Sequence, residues 1–138
     1  MSQGSESGAA PLHGAHILVV EDDFVLRLEL ETVLRGAGAA VVRTCATVAE
    51  ALRSIDGEKF AAAILDMRLG RETVAPVARK LADLGTPFVF YTGQVASDAV
   101  IAQWPKVPVV SKPALPVMLI RAVSEVLRSS ATPHAHDR

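Results

Sequence analysis

No stretch of this 138-residue chain is apolar for the roughly 18 residues that a membrane helix needs. Its start, MSQGSESGAAPLHGAH, lacks the charged-then-apolar order of a secretory signal, so a cytoplasmic protein is expected. There is no run of Lys or Arg either. Fourteen basic residues stand against fifteen acidic ones, for a formal net charge of −1, and the electrostatic footprint of a nucleic-acid or anionic-membrane binder is missing. The only cysteine, Cys45, excludes an internal disulfide. Within the apolar run VVRTCAT it reads as a buried side chain, with no histidine expected in the folded region to activate it. His13, His16, His134 and His136 are all assigned to the tails, at spacings that suit only weak metal binding. The GAG at 36–38 follows a helical pattern and no G-x-G-x-x-G completes it, so it reads as a helix end and not a dinucleotide turn.

What is present is a chain that is 50% hydrophobic and 21% charged, at a length suited to one domain. Residues 1–14, rich in Gly, Ser and Ala, and the polar residues 129–138 read as loose tails around a domain of residues 15–128. Inside it, short apolar runs alternate five times with helical patterns. Ala15–Val20 is too short for a helix and reads as a strand buried on both faces. An amphipathic helix follows, with Leu26, Leu30, Val33, Leu34 and Ala37 on one side. Ala40–Arg43 is a second strand, and Thr47 with Glu50 forms a capping-box pattern for a helix that Asp56-Gly57 closes. Phe60–Leu65 is a third strand, and the helix Thr73–Leu84 carries Pro76 in its first turn and stops at Gly85. A fourth strand is expected over Pro87–Tyr91, a short helix over Val95–Trp104, a fifth strand over Val107–Val110 and a last helix over Leu115–Leu127. This alternation implies an α/β fold, a parallel sheet with helices on both faces.

In an open parallel sheet, ligands gather at the carboxyl ends of the strands. Those ends carry Glu21, Asp22 and Asp23, then Asp66, then Thr92-Gly93, and finally Ser111-Lys112-Pro113. Carboxylates grouped so closely repel one another unless a cation neutralises them, and hard oxygen donors suit Mg²⁺ or Mn²⁺. An aspartate beside such an ion is a competent nucleophile toward phosphorus, with Lys112 and the Thr92 hydroxyl able to meet the charge on the moving group.

In this order and at strand ends, VVEDD, ILDM, YTG and SKP resemble the receiver domain of bacterial response regulators over about residues 15–128. The resemblance implies a (βα)5 flavodoxin-like fold with strand order 2-1-3-4-5. It implies Asp66 as phosphoacceptor, with the metal held by Glu21 through water, by Asp22 and Asp66 directly, and by the Arg68 backbone carbonyl. Thr92 becomes the switch hydroxyl and Lys112 the ion-pairing partner, preceding a cis Pro113, while Arg68 and Gln94 occupy positions that tune phosphoryl lifetime. The implied partners are a histidine kinase or histidine phosphotransfer protein and a downstream protein, in a stand-alone receiver whose only catalysis is its own phosphorylation and dephosphorylation; a homodimer is left open. Three features depart from the family pattern, one being that the segments flanking Thr92 look short. The loop after Asp66 is MRLGRETV, and Val109 stands where an aromatic residue is usual, so a switch would rest on the backbone or on Tyr91.

Structural readings stand beside these. Asp22 and Asp23 precede a helix and either can cap it, a lone Asp after a strand is a common turn residue, and Lys112 by itself reads as a solvated surface lysine. The rival functions are a receiver-like interaction module that takes no phosphate and an aspartyl phosphatase, which would want a further acid where Arg68 stands.

Overall fold

A computed structural model describes residues 10–93 and 99–131. The chain order is β1 (His16–Val20), α1 (Phe24–Gly36), β2 (Val41–Cys45), α2 (Val48–Gly57), β3 (Ala62–Leu65), β4 (Arg68–Leu69), β5 (Glu72–Thr73), α3 (Ala75–Leu84), β6 (Phe88–Thr92), α4 (Ala99–Gln103), β7 (Val109–Ser111) and α5 (Pro116–Ala131). Five strands form one parallel sheet in the order β2-β1-β3-β6-β7. Counting only the strands of that sheet, this is the expected order 2-1-3-4-5.

Alternation along the strands sorts the core into two layers. Leu18, Val20, Ala63, Leu65, Phe88 and Phe90 pack toward α2, α3 and α4, where they meet Val48, Ile55, Val77, Leu81 and Val100. Ile17, Val19, Ala62, Ile64, Val89 and Tyr91 face the other way, toward Leu30 and Leu34 of α1 and Leu119 and Val123 of α5. Between His16 at the start of β1 and Thr92 at the end of β6, the inner strands are apolar throughout because both faces are covered.

Local signals fix the helix ends. The Asp23 carboxylate accepts from the N–H of Leu26 and caps α1, and the Thr47 hydroxyl accepts from the N–H of Glu50 and caps α2. Pro76 stands in the first turn of α3, and Gly85 ends that helix.

The structure corrects several expectations. The amino-terminal tail was expected to stay loose as far as residue 14, yet Leu12 is 1% exposed in the α1 layer. The N–H groups of Leu12 and Gly14 donate to the carbonyls of Ala37 and Gly38, so residues 10–14 strap the end of α1. Gly38 permits this approach: a Cβ there would lie 2.7 Å from that of Ala10, and its φ is +107°. Helix α5 runs on to Ala131, past the expected end at Leu127. His16 is no tail residue. It opens β1, with its Nδ1 3.5 Å from Glu58. Cys45 is buried as expected, and burial raises its thiol pKa above the ordinary value, against a hydrogen bond with Ser54. The small antiparallel hairpin β4–β5 was not foreseen. Residues 1–9 and 132–138, the outer parts of both expected tails, lie outside the described residues, as does the start of the helix expected from Val95. Among the described residues, no helix is long and apolar enough to cross a membrane.

Candidate functional site

Strand register delivers the polar residues to one edge. Val20 pairs with Leu65, so the residues that follow, Glu21 and Asp66, emerge side by side. The ladder continues one step past both strands: the N–H of Asp66 donates to the Val20 carbonyl and the N–H of Glu21 to the Cys45 carbonyl. Thr92 pairs with Ser111, and the N–H of Lys112 donates to the Thr92 carbonyl, which sets Lys112 beside Thr92.

Lys112 is the centre of the arrangement. Its Nζ donates to Glu21 Oε1 at 2.8 Å and to Asp66 Oδ2 at 3.0 Å. Glu21 is 2% exposed, Asp66 8% and Thr92 fully buried, so the pairings form where water screens them poorly. Burial pushes the Glu21 carboxyl above its ordinary value, although the bond from Lys112 pulls the other way. For Lys112, burial by itself favours the neutral amine, and the two carboxylates outweigh it, leaving the ammonium raised. The Nζ also lies 5.7 Å from the centre of the Tyr91 ring, and the Tyr91 hydroxyl accepts from the N–H of Ala114 at 3.4 Å. The Lys112–Pro113 peptide is cis.

The two neighbouring aspartates divide their work. Asp23 caps α1, while Asp22 does not: its Oδ2 accepts from the N–H of Gly70, 2.8 Å away at the tip of the β4–β5 hairpin. Glu21 is steadied by the N–H of Asp23 on Oε2, and its carbonyl accepts from Arg27 Nη1.

Glu21, Asp22 and Asp66 each present a carboxylate oxygen within 4.8 Å of the others. Three carboxylates against the single ammonium of Lys112 leave an excess of two negative charges. A hard divalent cation fits that excess and that donor set, and Asp22, the exposed member, leaves the group open to solvent. Arg68 follows directly on this edge; its N–H lies 3.5 Å from Asp66 Oδ1, at the limit of a hydrogen bond. Glu21, Asp22, Asp66, Thr92 and Lys112 are thus brought together, Val109 lies 37% exposed on β7, and Gln94 lies outside the described residues. Gly70 and Arg27 were missed. Arg27 carries no signal in the sequence, whereas Gly70-Arg71 between Arg68-Leu69 and Glu72-Thr73 is a two-residue hairpin turn that begins with glycine.

A family model described as the response regulator receiver domain matches residues 17–124. Among solved structures, SdrG from Sphingomonas melonis Fr1 is 35% identical with a TM-score of 0.69, the match covering 86% of this chain and 98% of that one. A response regulator receiver protein from Sinorhizobium medicae WSM419 is 28% identical with a TM-score of 0.74, covering 86% and 98%. A CheY-like receiver domain from Methanospirillum hungatei JF-1, 24% identical with a TM-score of 0.76 over 85% and 96%, shares the fold. No curated protein matches the chain.

Proposed function

Because the chain belongs to the response regulator receiver family, we propose that Asp66 accepts a phosphoryl group from a histidine kinase or a histidine phosphotransfer protein, and that the modified protein signals to a downstream protein. The observation that carries this reading is the convergence of Lys112 on both Asp66 and Glu21 across 46 and 91 residues of sequence. A surface lysine has no need of two buried carboxylates. An acceptor site has, because charge develops there.

As a carboxylate nucleophile, Asp66 needs no general base. One of its oxygens attacks the phosphorus of a phosphohistidine. The P–O bond forms as the P–N bond breaks, and the electron pair leaves on the imidazole nitrogen, which takes its proton from solvent. The Lys112 ammonium, fixed beside Asp66, and the Thr92 hydroxyl on the neighbouring strand meet the negative charge of the transferred group. Glu21, Asp22, Asp66 and the Arg68 carbonyl would hold Mg²⁺ or Mn²⁺, which when bound supplies positive charge at the phosphoryl oxygens.

Thr92 and Lys112 lie at the ends of β6 and β7, so a shift of either reaches the surface built by α4, β7 and α5. That surface is the one we assign to the downstream partner. Tyr91, bound at its hydroxyl by Ala114 and beneath Lys112, is the aromatic residue placed to follow such a shift, in place of the one absent at Val109. The receiver unit runs from the strap at residue 10 to the end of α5.

The test is intact mass after incubation with Mg²⁺ and acetyl phosphate, for the wild type and Asp66→Asn. A gain of one phosphoryl group in the wild type alone is expected. If nothing is gained although Mg²⁺ binds, a histidine-kinase donor is the next trial. If nothing is gained and no Mg²⁺ binds, the phosphate-independent interaction module is the better reading.

A further inference from the structure

We infer that the β4–β5 hairpin is a positioning element for the cation site, with the main-chain N–H of Gly70 aiming the Asp22 carboxylate. The inference rests on the cation reading above. The three carboxylates differ in what holds them. Glu21 is buried between Lys112 and the N–H of Asp23, and Asp66 is bound by the same lysine. Asp22 is exposed in the turn between β1 and α1, and its carboxylate is fixed from 48 residues away, by the 2.8 Å bond from Gly70. That length is typical of an N–H donating to an ionised acceptor.

The donor is itself well supported. Arg68-Leu69 pairs with Glu72-Thr73, and the N–H of Val74 closes the base of the hairpin on the Met67 carbonyl. Met67, Leu69 and Val74 are buried beneath it, so the hairpin is anchored in the core and projects only its tip. Gly70 has φ +65°, a conformation that costs other residues about 1–2 kcal/mol, and it is this turn that presents the N–H to Asp22. A carboxylate accepts more than one partner, so the Gly70 bond and an ion are compatible. Beyond the Arg68 carbonyl, the Asp66 chemistry gives the rest of MRLGRETV no task; holding the exposed carboxylate at the correct angle supplies one.

The test compares Mg²⁺ affinity, followed by amide NMR, in the full chain carrying Gly70→Pro, which lacks the N–H, and Gly70→Ala, which keeps it. Gly70→Pro should weaken Mg²⁺ by about 10–100-fold, as loss of an outer partner does at other metal sites. Proline cannot take φ +65°, so this variant loses turn stability as well as the N–H, and its thermal midpoint in chelator should fall; the weakened binding is therefore read with Val74 still protected from exchange. Gly70→Ala should bind within a few-fold of the wild type. Independently, Asp22→Ala should abolish hydrogen-exchange protection at the Gly70 amide while sparing Val74. Should Gly70→Pro melt the hairpin, seen as lost protection at Val74, this second arm decides alone. Affinity for Gly70→Pro within twofold of the wild type with Val74 still protected, or an unchanged Gly70 amide in Asp22→Ala, overturns the inference. Absence of Mg²⁺ binding by the wild type is a different failure, because it removes the cation reading itself and this inference with it.

Discussion

Replacing Lys112 by Met keeps most of the side-chain volume and removes the charge that Glu21 and Asp66 share. The consequence follows from the geometry. The two carboxylates present oxygens within 4.8 Å of each other, and both groups are at least nine-tenths buried. At an effective dielectric constant near 20, two like charges at that distance repel by about 3.5 kcal/mol. With Lys112 present, its contacts at 2.8 and 3.0 Å offset this repulsion; without it, the folded state bears the cost and the unfolded chain does not. Urea unfolding at pH 7 in chelator should therefore show Lys112→Met destabilised by about 3 kcal/mol, a midpoint shift of about 1–2 M. Two conditions should restore most of the loss: saturating Mg²⁺, which replaces the missing positive charge, and acidification, because burial already pushes the Glu21 carboxyl above its ordinary value and its protonation removes the repulsion. The variant should also bind Mg²⁺ more tightly, since an ammonium no longer competes for the same oxygens. Stability within about 0.5 kcal/mol of the wild type in chelator would refute the reasoning, as would a loss equal with and without Mg²⁺.

Two further outcomes can be checked with the same measurement. Leu12→Ala should cost about 2–3 kcal/mol, the lower part of the range for a buried leucine, because the strap of residues 10–14 can lift and close part of the cavity; unchanged stability would place the strap outside the core. The buried Glu21 carboxyl has its pKa raised above 4.5 in the folded protein, so the stability it contributes is present below that value and lost as pH rises through the folded one. In chelator, stability should therefore decline as pH rises above about 4.5, and Glu21→Gln should flatten that slope; identical slopes in the two proteins would refute it. The raised Lys112 has the same sign at a higher pH: its contribution holds below 10.5 and is lost only as pH climbs through its higher folded value, outside this window.

The sheet was legible because the inner strands are unbroken apolar runs of strand length, and because Thr47, Asp23, Pro76 and Gly85 act through neighbours in sequence. The site was legible for a related reason: its side chains stand immediately after those runs, so locating the strands located the edge. What escaped the sequence depends on distant contacts. Strands of two residues carry no period, so β4 and β5 had no hydrophobic signature. Leu12 is one apolar residue among Gly, Ala, Pro and His, and its N–H finds its acceptor at the end of α1, more than twenty residues on. Asp22 and Asp23 are the same residue type at adjacent positions. Chain direction alone separates them, turning one onto the helix N–H groups and the other toward Gly70.

The same charges bear on how the sheet finds its register. In a strand that alternates apolar and polar residues, a slip of one place exposes the core face and is heavily penalised. Strands β1, β3 and β6 lack that safeguard, because Ile17 to Val20, Ala62 to Leu65 and Phe88 to Thr92 are buried at every position. A slipped pairing would still be apolar on both faces. It would, however, set Glu21 beside Met67 or Leu65 in place of Asp66, and carry one carboxylate away from the Lys112 ammonium that now reaches both. A buried charge that loses its partner costs about 3–5 kcal/mol, comparable with the whole stability margin of a small domain. Glu21, Asp66 and Lys112 thus penalise the wrong alignments as well as assembling the site in the right one, and the hydrophobic pattern of these strands cannot supply that discrimination alone.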